Sequence, residues 1–127
     1  MPVEWNWFEV EEELLDGTQK AFIETVRSHA ATWSWCRPLD TCALIADDDP
    51  GELKLIVDVS SASEGSIAAT LGVVFEGGSM HCGETHTQNY DLLNTQRIEG
   101  LEASGSPQEL GTMAANWLER TAPLLLP

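Results

Sequence analysis

Positive charge is what this chain has least of. Lys20, Arg27, Arg37, Lys54, Arg97 and Arg120 are its only basic residues, against 21 Asp and Glu, a formal net charge of −15 over 127 residues. A surface of that sign repels nucleic acid and anionic lipid, so neither is expected as a partner; basic protein patches are attracted instead. Long apolar runs are also missing, and nothing approaches the ~20 residues that cross a bilayer. The closing Pro123-Leu124-Leu125-Leu126-Pro127 is apolar but too short to anchor anything. The opening Met1-Pro2-Val3-Glu4-Trp5 has neither the basic region nor the apolar run of a secretory signal. Cysteine is sparse and odd in number: Cys36, Cys42 and Cys82 cannot all pair within one chain. The expectation is a reduced, soluble, cytoplasmic protein, monomer or homodimer.

What is present argues against an acidic disordered tail. Hydrophobic residues make up 43% of the chain and five of them are Trp, enough apolar surface to build a core and offset chain entropy. A single domain over residues 1–127 is expected. The acid falls in two groups. Glu4, Glu9, Glu11, Glu12, Glu13 and Asp16 crowd the first sixteen residues, and Asp40, Asp47, Asp48, Asp49 and Glu52 surround one turn. Solubility alone accounts for either group; electrostatic steering toward a basic partner is the functional alternative.

Along the chain, Val3, Trp5 and Trp7 alternate with Glu4 and Asn6 as in a half-buried strand. Residues 9–15 fit a strand continuation or a short helix equally well. Asp16, with Gln19 three residues on, predicts a capped helix. Its apolar stripe is Phe22, Ile23, Val26, Ala30 and Trp33, and it ends before Pro38. Cys42, Leu44 and Ala46 alternate with Ala43, Ile45 and Asp47, then Asp48-Asp49-Pro50-Gly51 turns the chain. Leu53, Leu55, Val57 and Val59 give the clearest period-two stretch and complete a hairpin with an aliphatic inner face. A third strand over 67–75 places Ile67, Ala69, Leu71, Val73 and Phe75 on one side. Gly77-Gly78-Ser79 returns it into a strand over 80–87, and residues 96–103 allow one more. Ser106-Pro107-Gln108-Glu109 reads as N-cap, N1 proline and capping-box Glu. Leu110, Met113, Ala114, Trp117 and Leu118 follow at helical period. The expected fold is α+β: a two-layer domain with an antiparallel sheet of four to five strands between an N-terminal and a C-terminal helix.

Sites of chemistry are hard to assemble from these residues. His81, Cys82, Glu84 and His86 carry metal-ligand chemistry, but on a regular strand His81 faces away from the other three. The paired-cysteine spacing of a structural zinc site is missing. Cys82 beside His81 is not a nucleophile with its base, for the same reason of facing. There is no Gly-x-Ser-x-Gly elbow, no phosphate-binding glycine loop, and no alternating acidic spacing of a calcium loop in Asp47-Asp48-Asp49. The reading is a protein that is not an enzyme, with no catalytic residues, metal or cofactor. Trp5/Trp7 and Trp33/Trp35 are i, i+2 pairs, and one of Trp33 and Trp35 is expected to leave the core stripe at the helix end. Trp is enriched at binding hot spots. Asp47, Asp48, Asp49, Glu52, Trp7 and Trp35 are therefore the candidate partner-binding residues.

The C-terminal Gly105-Ser106-Pro107-Gln108-Glu109-Leu110, followed by Ala114-Ala115-Asn116-Trp117-Leu118-Glu119-Arg120, resembles the ending of small acidic bacterial immunity proteins encoded beside toxins. Over roughly the last quarter of the chain, this resemblance implies a non-enzymatic module that neutralises a basic protein, a toxin or secreted effector. Asp40-Thr41-Cys42-Ala43-Leu44-Ile45-Ala46-Asp47 with Leu53-Lys54-Leu55-Ile56-Val57 resembles the opening strands of type III secretion chaperones, implying a dimeric escort. The central dimerisation helix of those chaperones is not found. A third possibility, mimicry of nucleic acid in an inhibitor, would use the same charge with carboxylates spaced like phosphates.

Overall fold

Asp16 starts the first helix by local chemistry. In a computed structural model, which describes residues 6–45, 51–60, 67–86, 91–93 and 98–125, its carboxylate accepts from the Gln19 amide at 2.8 Å while the Gln19 side chain accepts from the Asp16 amide at 2.9 Å. Two amides that helix geometry leaves without partners are thereby satisfied. Helix α1 then runs Gly17–Ala30 and buries Phe22, Ile23, Val26 and Ala30, four of the five stripe residues expected from the sequence; Trp33, the fifth, lies past the helix end. The second helix, α2 (Pro107–Thr121), begins with the same reciprocal box between Ser106 and Glu109.

Between the helices lie five strands: β1 (Thr41–Ile45), β2 (Glu52–Ser60), β3 (Ile67–Glu76), β4 (Ser79–Thr85) and β5 (Leu101–Ser104). They form one antiparallel meander in the order β1-β2-β3-β4-β5. Gly77 closes the β3–β4 turn at φ +62°, a conformation glycine adopts without penalty. The α+β class and its terminal helices are as the sequence indicated. Trp7 belongs to no strand: the expected N-terminal strand falls partly on residues 1–5, outside the described residues, and Trp7 and Phe8 form a turn. In the ambiguous stretch after it, Glu12–Leu14 is a single 3₁₀ turn.

Period-two alternation assigns the faces. Leu53, Leu55, Val57, Leu71, Val73, Phe75, Met80 and Cys82 turn inward and join the buried helix residues in one core. Phe22 of α1 stacks on Phe75 of β3, centroids 4.3 Å apart. Side by side, α1 and α2 approach so closely that a Cβ on Gly111 would lie 2.7 Å from Thr25 Cβ and 3.0 Å from the Phe22 carbonyl oxygen. That contact also explains Met113. The buried residues of α2 include Gly111 and Ala115, so at ~100° per residue the covered arc swings toward α1. Met113, expected in the stripe, is left just outside it and is 38% exposed. On the opposite sheet face Ile56 and Thr70 are buried as well. Lys54 reaches out from that face to Asp91 Oδ1 at 3.2 Å.

Candidate functional site

The predicted binding residues that are described, Trp7, Trp35 and Glu52, divide between two ends of the sheet. Trp7 and Trp35 are brought together, on either side of Trp33. Trp7 meets the Trp33 ring edge-on at 5.5 Å and Trp35 lies tilted against it at 4.7 Å. Phe8 adds a second edge contact at 6.3 Å. Trp33 is the buried member of its pair and Trp35 the half-exposed one, but both lie beyond Ala30, where α1 ends, so the difference does not come from helical divergence as expected. Trp33 Nε1 donates to Glu119 on α2, fixing the cluster to the second helix. Trp35 Nε1 is buried with no acceptor among the described residues.

Glu52 is elsewhere. Thr41, whose hydroxyl accepts from the Phe8 amide at 2.9 Å, pairs with Val57, whereas Ile45 at the other end of β1 pairs with Leu53. Four strand rises, about 13 Å, separate those ends, and Glu52 lies one residue beyond Leu53. It is half-buried, with Lys54 Nζ 3.7 Å from its carboxylate. Asp47, Asp48 and Asp49 lie outside the described residues. The aromatic cluster and Glu52 therefore do not make one patch.

Besides Glu119, the acidic residues beside Trp7 and Phe8 come from the N-terminal segment. Glu9, Glu11, Glu12 and Glu13 are exposed along it. Arg27 anchors this segment: its Nε donates to the Trp7 carbonyl at 2.8 Å, Nη2 to the Phe8 carbonyl at 2.9 Å, and Nη1 pairs with Glu12 at 2.8 Å. Nothing in the sequence around Arg27 signals this long-range clamp.

The three thiols are buried or half-buried, and His81 faces away from the cysteine next to it. Burial pushes the Cys82 thiol up to about 12, and burial with the nearby Asp40 charge does the same to Cys36. Cys42 is raised by burial and by Asp58. The reactive species is the thiolate, so all three are held in the inert form near neutral pH. His81 is exposed on the outer face, 3.6 Å from Glu102, while Cys82 is buried on the inner one. Among the described residues no group of three or more His, Cys, Asp or Glu side chains is placed to hold a metal ion, and no helix is long and apolar enough to cross a membrane.

A second surface, at the β5 edge of the sheet, was not singled out from the sequence. Leu101, Met113 and Arg120 border a depression of about 350 Å³, and Leu101, Trp117, Arg120 and Leu124 border another of about 250 Å³. Trp117 Nε1 donates to the Glu99 carbonyl at 3.0 Å, tying the approach to β5 onto α2. No protein-family model, curated protein or solved structure matches this chain.

Proposed function

We propose that this chain is a non-enzymatic acidic module, of the immunity-protein type, that binds and neutralises or escorts a basic partner protein. The observation that supports the reading is how little of its negative charge is compensated within the chain. Arg27 is committed to Glu12, Arg37 to Asp40, and Lys54 to Glu52 and Asp91. Glu9, Glu11, Glu13, Glu24, Glu76, Glu99, Glu102 and Glu109 stand exposed with no ion pair to Lys or Arg among the described residues. Carboxylates displayed on a folded surface raise the rate of encounter with a positively charged protein and disfavour acidic competitors.

The test is to capture partners on the immobilised chain from extract of its own source, identify them by mass spectrometry, and re-form the complex from purified components. A basic protein should bind stoichiometrically. Its association should slow steeply as salt rises from about 0.1 to about 1 M, where the Debye length falls from ~10 to ~3 Å. A partner that is acidic, or that associates equally fast at both salt concentrations, overturns the reading.

A further inference from the structure

The two edges of the sheet are not alike. At the β1 edge the chain covers its own backbone: the Ala43 amide donates to the Glu9 carbonyl at 3.3 Å and the Phe8 amide to Thr41 Oγ1. At the other edge β5 pairs with β4 alone, and among the described residues nothing pairs with its outer side. An uncovered strand edge presents a row of amides and carbonyls ready to accept another strand.

Beside that edge lies apolar surface. Met113 is 38% and Leu124 74% exposed, and the two depressions meet at Leu101. Alternate side chains of a strand lie about 7 Å apart on one face, a spacing that lets successive apolar residues of an added strand enter neighbouring depressions. Among the described residues the charge around the edge is mostly negative: Glu99 and Glu102 are exposed and Arg120 is the only basic residue lining either depression.

The charge selects the occupant. A second copy of this chain would bring another net −15 and set its own Glu102 against this one, and like charges across paired strands are destabilising. The outward Glu102 thus discourages self-pairing, while the same carboxylates favour Lys and Arg. We infer that the outer edge of β5, with the exposed side of α2, accepts an extended basic segment of the partner protein, alternating Lys or Arg with apolar residues, as a sixth strand. This rests on the reading of the chain as a binder of a basic protein.

The experiment uses the full ¹⁵N-labelled chain and two synthetic peptides, a Lys-Val repeat and the same repeat N-methylated at alternate residues. N-methylation keeps the charge and removes the backbone donors. The Lys-Val peptide should slow hydrogen exchange of amides within Leu101–Ser104, and the methylated peptide should not. Glu102→Lys should weaken peptide binding roughly tenfold with an unchanged melting temperature, and Met113→Glu, which keeps the charge attraction, should weaken it through the apolar contact. Equal binding of both peptides, or protection confined to β1, overturns the edge assignment. With a captured basic partner in hand, the two proposals separate. If it binds tightly but leaves the β5 amides unprotected and ignores Glu102→Lys, the edge inference fails and the acidic-binder reading stands. If no basic protein binds, both fail.

Discussion

Arg27 holds Phe8 in a left-handed backbone conformation. Phe8 has φ +51° and is completely buried, and an L-residue in that region costs roughly 1–2 kcal/mol. The Arg27 fork spans the Trp7 and Phe8 carbonyls. A hydrogen bond to a charged donor contributes about 1.5–3 kcal/mol, so two offset the strain. The Phe8 amide is satisfied separately by Thr41. Strain, clamp and cap together fix the turn that delivers Trp7 to Trp33.

Arg27→Lys is the discriminating substitution, because it keeps the charge and loses the planar fork. A loss of about 1–3 kcal/mol is expected, the range for leaving a buried acceptor unsatisfied, read as a lower urea midpoint at constant slope. It should be accompanied by altered Trp fluorescence as the cluster loosens. Stability equal to the parent would show that charge alone suffices and that the fork geometry is irrelevant.

Two glycines in helices should respond to alanine with opposite signs. At Gly111 a Cβ meets Thr25 and the Phe22 carbonyl at 3.0 Å or less, while at Gly17 it meets nothing within 4 Å. Gly111→Ala should cost about 1–3 kcal/mol by overpacking the α1–α2 contact, despite the gain in helix propensity. Gly17→Ala should stabilise by about 0.4–1 kcal/mol through the unfolded chain. Thermal denaturation of both variants checks the pair, and a stabilised Gly111→Ala would mean the helices part easily.

Those signs were not legible in the sequence, and the reason applies widely here. Both helix starts were readable because a cap is a matter of three residues: Asp16 with Gln19, Ser106 with Glu109. The strands of the two hairpins were readable from alternation, since burial on one face forces period two. Relationships between distant elements left no local trace. Nothing near Arg27 announces a partner twenty residues earlier, and nothing in Leu101-Glu102-Ala103-Ser104 reveals that it is an edge. Of the candidate site, the grouping of Trp7 with Trp35 emerged only from the turn at Phe8. The separation of both from Glu52 follows from strand register.

Acid should act on Asp16 and Asp58 in opposite directions. Hydrogen bonds from Gln19 and Thr18 hold the Asp16 carboxyl below its ordinary 3.8. Its stabilisation is therefore present above that value and lost as pH falls through the lowered one. Burial raises Asp58, against the opposing hydrogen bond from Thr70. Its contribution is fully present below 3.8 and lost as pH rises through the raised value, so the ionised group is a cost at neutrality. Asp16→Ala should lose about 0.5–2 kcal/mol at neutral pH, and less in acid. Asp58→Asn, which can still accept from Thr70, should be more stable than the parent at neutral pH, the difference vanishing below the ordinary carboxyl value. Urea midpoints across pH decide both, and an Asp58→Asn that destabilises at neutrality would refute the burial argument.

Thiol labelling should follow exposure. Cys42 is half-exposed, whereas Cys36 and Cys82 are buried and held near 12. Under native conditions, alkylation followed by peptide mapping should find Cys42 modified first, with Cys36 and Cys82 reacting only as the protein opens. Fast labelling of Cys82 would contradict its place in the core.

Charge that steers and surface that docks should separate kinetically, which gives the acidic turn its test. Exposed carboxylates contribute little singly, so Asp47, Asp48 and Asp49 matter only together with Glu52. In sequence they follow β1, whereas the proposed docking edge is β5, the other edge strand of the sheet. Carboxylates that do not enter the contact act through the long-range field, on association rather than dissociation. Changing all three aspartates to Asn should therefore slow association with the basic partner and flatten its salt dependence, leaving dissociation and the melting temperature close to the parent. Glu102→Lys at the docking edge should instead speed dissociation, where most differences in affinity among variants of one interface reside. Stopped-flow measurements at low and high salt distinguish the two effects. An unchanged association rate at low salt for the triple variant would remove the turn from the mechanism. A faster dissociation from that variant would place the turn in the contact itself and move the interface to the other side of the sheet.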